Sequence, residues 1–80
     1  GYTKALLEVN RVRDALEAAE KASRIDSKNA EVFLLLGNAR QELGMAKPSI
    51  KAYERYLKLA PSGRYARDVK SAIKLMKDGL

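Results

Sequence analysis

Acid–base chemistry in this chain has to come from carboxylates, because among its 80 residues there is neither His nor Cys. That absence removes the commonest general base, the thiol nucleophile and the usual ligands of zinc and copper. The carboxylates that could serve, Asp14, Glu17, Glu20 and Glu54, each stand beside a Lys or Arg on a helical pattern. They read as ion-paired surface. The sequence contains no Gly-rich phosphate loop, no nucleophile elbow and no paired-acid pattern. No catalytic residue, cofactor or metal is therefore expected, and the chemistry left to the chain is recognition.

Charge is the first recognition signal. Residues 1–43 hold seven basic and seven acidic side chains, whereas residues 44–80 hold nine and three, so the whole excess of +6 lies in the second half. Lys47, Lys51, Arg55 and Lys58 fall on one face of a helical pattern, and Arg67, Lys70, Lys74 and Lys77 on one face of the next. Both stripes oppose the apolar stripe of the same helix, which makes them solvated outer faces. The alternative is a face for an acidic partner: a protein segment, anionic lipid or nucleic acid. Nucleic acid ranks last of these, since no recognised binding motif accompanies the charge and the Tyr residues stand mostly at packing positions.

These side chains must be positioned by helices. From Ala30 the residues Phe33, Leu36, Arg40 (through its aliphatic stem) and Leu43 recur at three- and four-residue intervals, the period of a helix face. Gly44 ends that helix, and Pro48 suits the first turn of a second, which carries Ile50, Tyr53, Leu57 and Ala60 on one stripe with Tyr56 beside it. Pro61 stops the second helix, and Ser62 is expected to cap a third near residues 65–77. Gly37 is the anomaly. Inside a helix it costs about 1 kcal/mol relative to Ala, so a close neighbour must require the missing side chain.

Eighty residues make one small domain, without disulfides to reinforce it. No apolar run reaches the roughly 20 residues that span a bilayer, and the start lacks a signal-peptide pattern. A cytoplasmic chain is expected. It opens on Gly1 and not Met, as a fragment would, and a targeting signal would then lie elsewhere.

Sliding the sequence on itself by 34 residues places Ala18, Glu20, Lys21, Arg24 and Ile25 on Ala52, Glu54, Arg55, Lys58 and Leu59, with Leu16 on Ile50 and Asn10 on Gly44. With this period, Phe33, Leu36, Gly37, Arg40, Gly44, Ser49, Tyr53, Tyr56 and Pro61 resemble the signature of the tetratricopeptide repeat. Arg40 stands where that family usually has an aromatic, and Ser49 and Tyr56 where it usually has Ala. The resemblance implies an all-α, right-handed stack of antiparallel helix pairs. It divides one domain into a partial repeat (1–29), a complete repeat (30–63) and a terminal capping helix (64–80), about five helices in all. The cap would cover the preceding repeat with Ala66, Val69, Ile73 and Met76. It also accounts for Gly37, the place where the paired helices cross most closely. Tyr56 would need local repacking or partial exposure. In the first segment Asn10 would form the turn of the partial repeat, although Ala5, Val9, Val12, Leu16 and Ala19 also fit one continuous helix over residues 4–25.

In such a stack the first helix of each pair lines a concave face. The resemblance therefore implies a peptide- or helix-binding groove formed by Glu31, Leu34, Asn38 and Gln41, with Lys4 and Leu7 before them and Tyr65, Asp68, Ala72 and Leu75 after. The plain alternative is that Leu7, Leu34 and Leu75 are ordinary core. A carboxylate clamp of the kind some members of the family carry is matched only at Asn38, because Lys4, Leu35, Tyr65 and Val69 occupy its other places. The expected function is a non-catalytic protein-interaction module, a scaffold or regulator of bacterial type. The alternative is a self-associating or array-ending element, in which a two-fold partner covers Leu6, Val9 and Val12.

Overall fold

The computed structural model describes the backbone of residues 2–79 and the side chains of residues 11–79. Four helices follow one another, α1 (Tyr2–Ile25), α2 (Ala30–Glu42), α3 (Ala46–Leu59) and α4 (Ala66–Asp78), with no strand among the described residues. The expected count of about five is corrected at Asn10, which continues α1 and does not turn the chain. Asn costs at most about 0.7 kcal/mol relative to Ala inside a helix, too little to break one that has neither Gly nor Pro at that point. Among the described residues only Gly44 takes a positive φ, at 77°.

The connections have identifiable caps. Asn29 Oδ1 accepts from the Glu31 amide at 3.1 Å, capping α2 with a residue that the periodicity alone left unassigned. At the other end Gly44 N–H reaches Gln41 O at 3.0 Å and Met45 N–H reaches Arg40 O at 2.8 Å. This paired arrangement around a left-handed Gly is a Schellman motif, and it reverses the chain into α3. Pro48 lies in the first turn of α3. Ser62 does not cap α4, which starts after Tyr65 with no side-chain cap; the Tyr56 hydroxyl holds the approach by accepting from the Tyr65 amide at 3.1 Å.

Each helix packs on the next: α1 on α2, α2 on α3, and α3 on α4. Ile50, Tyr53 and Tyr56 meet Ala66, Val69 and Ile73 in one cluster. Ala19, Leu36 and Ala52 form a smaller one, and Phe33 packs against both. Between α2 and α3 the backbones approach at Gly37. A Cβ there would overlap Cδ1 and Cε1 of the Tyr53 ring. Ser49, fully buried, donates to the Gly37 carbonyl at 2.7 Å, so its hydroxyl is satisfied at this crossing. Tyr56 is 3% exposed, so it repacks and does not protrude. Gly63 makes room for it: a Cβ on Gly63 would stand 2.8 Å from the Tyr56 oxygen.

Candidate recognition groove

An open groove of about 640 Å³ runs between α2 and α4 with Tyr53 of α3 at its floor. Glu31, Leu34, Leu35, Asn38 and Gln41 come from α2, Tyr65 immediately precedes α4, and Asp68, Val69 and Ala72 come from its first half. Helical spacing explains the first set, since residues seven apart on α2 share one face over two turns. The second set is placed by packing, because Val69 is buried against α3 and carries its neighbours to the opposite bank.

The structure thus brings Glu31, Leu34, Asn38, Gln41, Tyr65 and Asp68 to one surface. Lys4 and Leu7 belong to α1, but their side chains lie outside the described residues. Leu75 is 72% exposed and does not line the groove. Leu35, 61% exposed, joins the lining without having been assigned to it.

Tyr53 is the member that periodicity hides. Its ring is core, yet its hydroxyl reaches the groove, lying 2.5 Å from Asn38 Oδ1 and 2.8 Å from Gln41 Oε1. One phenolic proton serves only one of these acceptors. The other amide must turn its NH2 toward the phenol oxygen, so Asn38, Tyr53 and Gln41 form a directed chain of donors and acceptors. Burial, with the Glu42 carboxylate adding to it, raises the Tyr53 pKa above 10.0 and keeps the phenol protonated. The sequence signal was only that this core position holds Tyr and not Phe.

The groove's charge opposes that of the chain. Its lining has two carboxylates, Glu31 and Asp68, two amides and no Lys or Arg, in a protein of net charge +6. Each carboxylate lies in the first turn of its helix, where the macrodipole favours it. Among the described residues the ion pair within 4.0 Å is Arg24 with Glu20, at 3.9 Å. Asp14, Glu17 and Glu54 are exposed and have no such partner among the described residues, which corrects their reading as ion pairs. No family model, curated protein or solved structure shows a significant match to the chain.

Of the basic stripes, Lys47, Lys51 and Lys58 on α3 and Arg67, Lys70, Lys74 and Lys77 on α4 are exposed. Arg55 leaves its stripe. Its guanidinium lies 5.7 Å from the centre of the Phe33 ring and donates to Ser27 O at 3.4 Å, tying α3 to the turn between α1 and α2. A second concavity, about 420 Å³ and mostly apolar, lies between α1 and α2 and shares Leu35 and Asn38 with the first. Among the described residues no group of His, Cys, Asp and Glu is arranged to hold a metal, and no helix is long and apolar enough to cross a membrane.

Proposed function

We propose that this chain is a tetratricopeptide-type interaction module that holds a short segment of another protein in the groove between α2 and α4, without catalysis and without a cofactor. The observation that carries the proposal is the composition of that groove: apolar Leu34, Leu35, Val69 and Ala72 flanked by amides and carboxylates, over a hydrogen-bonded phenol. Apolar side chains of a bound segment supply affinity there, and Asn38 and Gln41 supply orientation. Glu31 and Asp68 select a segment carrying Lys, Arg or a free amine and reject an acidic one. A scaffold or regulator of bacterial type working in the cytoplasm fits this role.

The basic stripes give the competing reading, an electrostatic face for an acidic partner, favoured by the exposure of Lys70, Lys74 and Lys77 on one side of α4. Selection of peptides from a random display library on the chain, with the Leu34→Asp chain as counter-selection, separates the two. Enrichment of apolar sequences flanked by Lys or Arg, lost on Leu34→Asp, supports the groove. Acidic sequences retained on Leu34→Asp support the basic face and refute the groove.

A further inference from the structure

The Tyr53 hydroxyl couples the two amides that line the α2 bank of the groove. Asn38 Oδ1 and Gln41 Oε1, on side chains exposed there, lie 2.5 and 2.8 Å from the same phenol oxygen. The amide that accepts the phenolic proton turns its NH2 away from Tyr53. The other donates its NH2 to the phenol and turns its carbonyl away. In either state of the chain the two side chains therefore offer a ligand one donor and one acceptor, never two of a kind. An extended peptide presents the complement, because the N–H and C=O of one residue point to the same side of the chain. A helical segment does not, since its backbone groups are already paired within it.

The carboxylates stand at one end of the same groove. Phe33 meets Arg55, Gly37 meets Tyr53 and Arg40 meets Pro48, so α3 runs antiparallel to α2 and ends beside the start of α2. The chain then turns directly into α4, whose approach is tied to Tyr56 through the Tyr65 amide. Glu31 and Asp68, in the first turns of α2 and α4, thus face the groove from its two banks at that end. Asn38 and Gln41 follow Glu31 by seven and ten residues, roughly 10–15 Å along the helix axis. An extended chain at about 3.3 Å per residue covers that distance in three to five residues.

Resting on the groove as the binding site, we infer that it takes an extended segment read at two points. A cationic nitrogen lies between Glu31 and Asp68, and three to five residues further on the N–H and C=O of one residue are held by Asn38 and Gln41. Tyr53 is the positioning residue that makes those amides a donor–acceptor pair. If the cation is the segment's own terminal amine, the N–H precedes the C=O on the way from the acidic end. Asn38 then accepts, Gln41 donates, and the phenol gives its proton to Gln41. A Lys or Arg near the segment's C-terminus demands the opposite direction, which the chain serves by reversing all three groups together. What the coupling forbids is a residue offering two acceptors, because relieving the clash at one amide creates one at the other.

Replacing a peptide N–H by an ester oxygen makes such a residue, so an ester scan tests the inference. Two probes distinguish the sources of the cation: a hexapeptide amide of alternating Leu and Ser with a free N-terminus, and its acetylated counterpart with Lys at the C-terminal position. Chemical-shift titration should show one ester position in a bound probe, three to five residues from the cation, that weakens binding about fivefold or more, the scale of one hydrogen bond, while the others change it by less than about twofold. Tyr53→Phe should shrink that penalty to about twofold by freeing the amides to turn independently. Gln41→Ala, at an exposed position, should do the same without touching the core. A flat scan, or a penalty unchanged in both variants with intact helicity, overturns the inference. So does failure of both probes to bind at millimolar concentration. A flat scan with binding still lost on Leu34→Asp leaves the groove standing and removes only the two-point reading, whereas probe binding indifferent to Leu34→Asp removes the groove itself.

Discussion

Gly37 and Tyr53 interlock: the Tyr53 ring fills the space where a side chain on Gly37 would begin, and the Ser49 hydroxyl fastens the carbonyl of the same glycine. The weakest helix former of α2 thereby sets the distance between α2 and α3, and with it the height of the groove floor. Gly37→Ala gains about 1 kcal/mol of helix propensity but forces a methyl group into an aromatic ring, which costs roughly 1–3 kcal/mol. The clash involves the rigid core of the ring, so loss should prevail and the melting temperature should fall. In a double-mutant cycle with Tyr53→Leu, thermal denaturation should show Gly37→Ala to be less harmful beside the smaller side chain. Additive effects would mean that the two residues do not limit the crossing.

Tyr53 should also leave a signature in alkali. Its folded pKa is raised by burial and by Glu42, whereas the unfolded phenol ionises near 10.0. The unfolded state therefore gives up its proton first, and stability falls as pH climbs from about 10 toward the folded value; below that window this contribution is constant. Absorbance titration of the phenolates should show a lagging phase from Tyr53. Tyr53→Phe should remove the lagging phase, and a titration unchanged by that substitution would contradict the assignment.

The periodicity of α2, α3 and α4 and the roles of Gly37 and Gly44 were legible because apolar spacing and glycine placement act locally. Asn10 was read less well. Its likeness to Gly44 in the repeat suggested a turn, but Asn without a neighbouring Gly or Pro is only a mild brake on a helix, and α1 runs through it. On the groove, α2's contribution follows from its period, and Tyr65 and Asp68 follow from the repeat. The Tyr53 hydroxyl and the departure of Arg55 depend on three-dimensional contacts between helices, which no one-dimensional spacing encodes.

Gly63 should tolerate substitution poorly although it lies in a turn and carries no unusual backbone. Its missing side chain faces the Tyr56 oxygen at 2.8 Å, Ala60 Cβ at 3.0 Å and Ala60 O at 3.1 Å. Gly63→Ala should cost roughly 1–3 kcal/mol, read as a lower midpoint in urea. Tyr56→Phe in the same chain should recover part of it by removing the nearest atom. No shift of the midpoint for Gly63→Ala would show that the turn moves freely away from Tyr56.

Salt separates the two recognition surfaces. Binding through the basic stripes should weaken steeply between low and physiological ionic strength, where the Debye length shrinks to about 8 Å. Binding in the groove, driven by apolar burial, should change by only a few-fold. Reversing Lys70, Lys74 and Lys77 to Glu should leave a groove-selected peptide bound in fluorescence titration, whereas abolished binding with intact helicity would promote the basic face to the principal site.

The central claim concerns where a selected peptide binds, and amide chemical-shift mapping of the labelled chain addresses it directly. Titration with the best apolar, Lys- or Arg-bearing peptide should move the signals of Leu34, Asn38, Gln41, Asp68 and Ala72, and Leu34→Asp or Asn38→Ala should weaken that binding by about tenfold or more, the scale of one lost buried contact. Shifts confined to the exposed side of α4 around Lys70 and Lys74, or binding unchanged in both variants while the helices remain intact, would contradict it.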